Sequence, residues 1–345
     1  MTAARIRRLL AGMAVAASCA CAAQQTDTPR ALAPAPGASY LQRDGSIAIV
    51  GNDGMDELVT SLNALFVRHH PDLRFTTRME GSSTGMPALT AGATMVAPMT
   101  RDLWPADRSA FVQVFGYEPT AVRIGYNGHG PRPPAKTPPA VYVNTANPLA
   151  GLAVQDVARI FTEGAAAGNL STWGQLGLGG AWAERRIHLY GLRDDGGFAT
   201  GMRMRYFGGR PFSPRYEALS SREALVRAVA ADPYGMALVG WMNAAAVSGN
   251  VRVLPLASEP GTAFHTPALD DVRRGLYPFS APVQFYVNKA PGRPLEPLVL
   301  EYLRLSLSDE GQALVAAQTA SEEGYVPLSP EDLRRERQKL EALGR

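Results

Sequence analysis

The sequence predicts an α/β protein of about two domains, and three observations carry that expectation. The 345 residues exceed one common domain of about 150 residues and fit about two, and a 46% hydrophobic content supplies a core for each. Short β-branched runs alternate with helical periodicity, the pattern of helices layered on a largely parallel sheet. The 34 glycines and 27 prolines place many tight turns between short elements, which argues against a helical bundle.

The first element is a leader. Met1 to Ala23 has the form of an export signal: Arg5, Arg7 and Arg8, an apolar run from Leu9 to Ala17, then small residues. Two cleavage readings stay open. Ala20-Cys21-Ala22 fits an A-x-A site, while Ala16-Ala17-Ser18-Cys19 resembles a bacterial lipobox and would put a lipid on Cys19. Both cysteines lie at this junction, so either cleavage leaves a body without disulfides, thiol nucleophiles or zinc-thiolate ligands. The three arginines also account for the whole formal charge of +3, which removes the case for nucleic acid as a partner. Residues 24–43, rich in Ala, Pro, Thr and Gln, read as a flexible tether. No later stretch approaches the ~20 apolar residues of a spanning helix.

Beyond the tether, Ser46 to Val50 reads as a strand, Gly51 to Gly54 as a turn, and Leu58, Leu62, Leu65 and Phe66 as one helix face. The unit repeats with Leu73 to Thr77 as strand, Glu80 to Gly85 as loop and Met86 to Ala91 as helix; Thr94 to Pro98 is a third strand running into Thr100-Arg101. Val141 to Val143 and Val283 to Val287 are apolar strands at which the chain crosses between lobes, giving a first lobe of 44–138 with 283–330 and a second of 139–282. Within the second, Val154, Val157, Ile160 and Phe161 have helical spacing, and Ile187 to Tyr190 and Met236 to Val239 read as strands. Leu295 to Ala317 is helical with an interruption at Ser308-Asp309, and residues 331–345 form a charged terminal helix, expected to be solvated.

Glycine and hydroxyl residues at strand-to-helix turns have a chemical use, because free N–H groups at a helix start favour an anion. Gly51 to Gly54 and Gly81 to Gly85 are two such turns, with Ser82, Ser83 and Thr84 as hydroxyl donors; Thr100 and Arg101 add a hydroxyl and a bidentate cation. Arg193-Asp194-Asp195-Gly196-Gly197 follows a strand; it reads either as a surface ion pair or as a donor set whose carboxylate selects an oxyanion that still carries a proton. His69 and His70 are adjacent and cannot share a helix face, the other histidines are isolated, and no H-E-x-x-H motif occurs. The sequence therefore predicts no metal, no cofactor and no enzymatic activity.

Taken in order, these segments resemble the phosphate-binding proteins of bacterial ABC importers, within the type II periplasmic binding-protein superfamily. The resemblance runs from about residue 45 through Gly51-Asn52-Asp53-Gly54-Met55, Glu80 to Gly85, Thr100-Arg101, Val141 to Asn144, Asp232 to Gly240 and Tyr286 to Lys289 to Gly324-Tyr325-Val326-Pro327-Leu328. It implies two lobes joined by two hinge strands, closing on an anion held by Asn52, Asp53, Gly54, Met55, Ser82, Ser83, Thr84, Thr100, Arg101, Arg193, Asp195, Gly197 and Thr200. It further implies an exported monomer that passes inorganic phosphate or a related oxyanion to the membrane permease of an ABC importer, touching the membrane only through an N-terminal lipid. Where the family's second-lobe loop carries Ser-Gly-Thr, this chain has Gly197-Phe198-Ala199. That departure supports an alternative, a relative without phosphate affinity acting as a sensor, scaffold or secreted interaction protein.

Overall fold

A computed structural model describes residues 32–345. The leader, both cleavage readings and the first part of the tether lie outside the described residues. From residue 32 onward the tether stretch is anchored: the Ala35 N–H donates to the Glu296 carboxylate at 2.8 Å and the Tyr40 hydroxyl donates to the same carboxylate. Burial, then the Glu296 charge, pushes the Tyr40 hydroxyl well above its ordinary pKa, so it remains a donor.

The elements in order are β1 (Ile47–Gly51), α1 (Asp56–His69), β2 (Phe75–Met79), α2 (Ser82–Thr90), β3 (Ala97–Met99), α3 (Pro105–Phe115), β4 (Thr120–Asn127), β5 (Ala140–Asn144), β6 (Leu152–Ala153) and α4 (Val154–Phe161). They continue with β7 (His188–Gly191), α5 (Gly197–Tyr206), β8 (Tyr216–Ala218), α6 (Arg222–Ala231), β9 (Gly235–Val239), β10 (Val251–Val253), β11 (Leu256–Ala257), α7 (Leu269–Arg273) and β12 (Ala281–Val287). The last are α8 (Pro297–Ser306), α9 (Asp309–Ala317), β13 (Val326–Pro327) and α10 (Pro330–Leu343).

Two main sheets result. One has the order β13-β4-β12-β3, with the β1-β2 pair beside β3; the other has the order β10-β5-β9-β7-β8. The expected dominance of parallel pairing does not hold. β1-β2, β7-β8 and β7-β9 are parallel, whereas β12 is antiparallel to β3 and β4, and β5 is antiparallel to β9 and β10. The reason is connectivity. A helix joins β1 to β2, and helices return the chain to β8 and β9 in the same sense; β12 enters the first sheet only after the whole second sheet has been made. The chain passes between sheets in the segments just ahead of β5 and β12.

Packing explains the remaining departures from periodicity. β1 binds β3 through Met95 N–H to the Ala48 carbonyl and Asn52 N–H to the Pro98 carbonyl, both at 2.9 Å. Pro98 crosses so close to Gly51 that any Cβ there would meet its carbonyl oxygen. The stretch read as a loop from Glu80 to Gly85 is a loop only to Gly81: that residue takes φ +113°, open to glycine, and Ser82 already begins α2. Ser308 separates α8 from α9 because its hydroxyl accepts the Gly311 N–H at 3.1 Å, an N-cap. Finally α10 is not wholly solvated, since Leu340 and Asp332 are buried and Tyr126 of β4 donates to Asp332.

Candidate functional site

The ends of β1 and β3, the start of α2 and the start of α5 face one cleft of about 1030 Å³. Strands that enter parallel deliver their following loops to one edge, where a ligand site forms. Asn52, Asp53 and Gly54 follow β1, Ser82 and Ser83 open α2, Thr100 and Arg101 follow β3, and Gly197 opens α5; all line the cleft. The Asn52 side-chain amide donates to Ser82 Oγ at 3.0 Å, tying two of these loops together. Neither α2 nor α5 has a side-chain cap, so the first N–H groups of both helices are left to whatever occupies the cleft.

The other residues expected at the site lie elsewhere. Met55 is fully buried below the β1 turn. The Thr84 hydroxyl donates back to the Gly81 carbonyl at 2.8 Å. Arg193 and Asp195 pair with each other at 2.6 Å with side chains 78% and 64% exposed, and neither lines the cleft. The Arg193 guanidinium holds the Asp195 carboxyl below its ordinary range. Thr200 sits inside α5, its N–H bonded to the Gly196 carbonyl, and does not line the cleft.

Besides Arg101, which the sequence marked, several lining residues carried no mark there. Arg101 pairs with Asp107 at 2.6 Å and stacks its guanidinium 3.9 Å above the Trp104 ring, while the Trp104 N–H donates to the same carboxylate at 3.0 Å. Trp104 then reaches across the cleft to Gly197, 3.9 Å from where a Cβ would stand. Asp102 pairs with Arg205 of α5, a second link from the β3 loop to the other side. Lys136 pairs with Glu322 and Glu323; burial lowers its pKa, but the carboxylates outweigh burial and hold it raised. Asn127, at the end of β4, is 2% exposed with an unpartnered Oδ1. Trp241 adopts φ +54°, strained for a bulky residue, and packs edge-on against Phe198. Trp104 stood four residues past Thr100 and was within reach of a local reading; Trp241 and Asn127 gave no local signal.

Two sheets with a polar cleft at their facing ends define a binding protein of the clamshell class. A model of the PBP superfamily domain matches residues 36–310, and the chain belongs to that superfamily. Within it, the chain belongs to the phosphate-binding proteins: it is 31% identical over 287 residues to the phosphate-binding protein PstS of Pseudomonas aeruginosa, covering 82% of this chain and 83% of the relative. Among solved structures, PstS from Borrelia burgdorferi matches with a TM-score of 0.57 at 13% identity, over 82% of this chain and 98% of that one. An ABC-type phosphate transport receptor from Vibrio cholerae matches with a TM-score of 0.52 at 16% identity, over 82% and 99%. These two similarities speak for the fold alone.

Proposed function

We propose that the protein is an exported solute-binding protein that captures inorganic phosphate or a related oxyanion and delivers it to the permease of an ABC importer. The observation that carries this reading is the convergence of Asn52 to Gly54, Ser82-Ser83 and Thr100-Arg101 on one cleft at the uncapped start of α2. Hydroxyls, helix N–H groups and a guanidinium together match a tetrahedral anion. The first lobe is 44–138 with 283–330, the second 139–282, and the protein acts outside the cytoplasm as a monomer, by binding and not by catalysis. Its tether runs to the first strand from the point of leader cleavage or from a lipid on Cys19.

One observation favours a second reading. Gly197, Phe198 and Ala199 offer no hydroxyl where the family pattern has Ser and Thr, and each charge-assisted bond lost weakens binding by about 1.5–3 kcal/mol. Calorimetric titration of ligand-free protein with phosphate and then sulfate separates the two. Micromolar or tighter phosphate binding with sulfate ignored supports capture. Silence toward both anions from folded protein would favour a relative that kept the fold and lost the ligand.

A further inference from the structure

Arg101, Arg108, Lys136, Arg205 and Arg222 are the cations that line the cleft. Four already have carboxylate partners: Arg101 with Asp107, Arg108 with Glu118 at 3.5 Å, Lys136 with Glu322 and Glu323, and Arg205 with Asp102. Arg222, the first residue of α6, forms no ion pair among the described residues. Its Nε donates to the Gly240 carbonyl at 3.0 Å, which orients the guanidinium, and neither terminal nitrogen has an acceptor among the described residues. The next residue along that carbonyl's chain is Trp241, which lines the same cleft in its strained left-handed conformation and is held by its N–H to the Thr137 carbonyl at 2.7 Å. Strain of this kind persists where surrounding structure over-determines a residue, as at ligand clamps. Asn127, buried in the same cleft, adds a polar atom, its Oδ1, that has no hydrogen-bond partner among the described residues.

We propose that Arg222 is the anion hook of the second sheet: its two free terminal nitrogens take two oxygens of a tetrahedral oxyanion whose other oxygens meet Ser82, Ser83 and Thr100. A guanidinium anchored through Nε presents its remaining donors as a planar fork, the geometry that suits a phosphoryl group and that lysine cannot reproduce. Arg193, turned outward and paired with Asp195, leaves that role open. The inference rests on the oxyanion capture proposed above.

The test is calorimetric titration of the full chain with inorganic phosphate and sulfate, alongside thermal melting without ligand. Arg222→Gln is expected to weaken phosphate binding by about 30-fold or more, the scale of lost charge-assisted bonds, and Arg193→Gln to stay within about threefold of wild type. Arg222→Lys, which keeps the stem and the charge, reports where the glutamine variant does not fold; it is expected to bind weaker than wild type by about fivefold or more, since it loses the fork. Wild-type affinity in Arg222→Gln or in Arg222→Lys, or an equal loss in Arg193→Gln, overturns the hook and leaves phosphate capture standing. Wild-type protein that binds neither anion overturns both.

Discussion

At the scale of single residues, the cleft separates groups that present themselves from groups already engaged. Arg101 is engaged with Asp107 and stacked on Trp104, so its charge is already partnered and its guanidinium supports the indole. Arg101→Gln is therefore expected to lower phosphate affinity about tenfold or more and to free the Trp104 ring, readable as a shift in tryptophan fluorescence. Unchanged affinity and emission would remove Arg101 from the site. Gly51 is a different case, because it contributes only the absence of a side chain. Gly51→Ala would drive a methyl into the Pro98 carbonyl and is expected to destabilise the fold by about 1–3 kcal/mol in urea unfolding. Of the residues expected at the site, Ser82, Ser83, Thr100 and Arg101 were legible because a strand-to-helix turn is a local feature that positions its own residues. Arg193 was not placed correctly by local spacing, since its two-residue offset from Asp195 also suits a closed surface pair, and in this turn the pair closes.

At the scale of elements, capping and burial decide where the helices begin and what they cover. Ser308→Ala removes the cap that divides α8 from α9 and is expected to cost about 1 kcal/mol, measured by denaturant unfolding. A loss near zero would mean that the turn is held by the packing of α8 and α9 alone. The terminal helix α10 docks through Asp332. Burial opposes its charge, but the Tyr126 hydroxyl and Arg335 outweigh burial and hold its carboxyl below the ordinary value. A folded pKa below the unfolded one, ordinarily about 3.9, gives stability that is present above that pH and lost as pH falls through the folded value. Asp332→Asn is expected to flatten the acid limb of the stability curve there. An acid limb identical to wild type would show that α10 docks without this charge. Charged residues dominate the sequence of α10, which is why its buried residues were not legible; Asp332 is buried by a tyrosine from β4, 206 positions away in sequence.

At the scale of the whole molecule, the two sheets are linked across the cleft by Asp102 to Arg205 and by Trp104 against Gly197. Asp102→Asn releases the first link and is expected to raise the radius of gyration of ligand-free protein in solution scattering. An unchanged radius would show that this ion pair does not set the resting separation. A second global effect comes from His129, which lies on the segment leading from β4 toward β5 and donates through Nε2 to the Thr319 carbonyl at 2.9 Å. Burial pushes its imidazole below the ordinary 6.5, more than the Thr319 carbonyl raises it. The unfolded chain then takes up a proton first as pH falls, so stability declines below about pH 6.5, and His129→Gln is expected to remove that decline from a pH series of melting temperatures.

The sequence by itself determined the α/β class, the positions of most strands and helices, and the turns that open onto the cleft. Each of these depends on periodicity, glycine and hydroxyl residues within a few positions of one another, where the physical cause is local. Tertiary structure alone decided the mixed sheet, the start of α2 at Ser82, the outward turn of Arg193 and the presence of Arg222, Trp241 and Asn127 in the cleft. The mixed sheet follows from connectivity, the outward turn of Arg193 from its closure on Asp195, and the cleft lining from a chain that crosses twice between sheets and so joins residues that no local pattern connects.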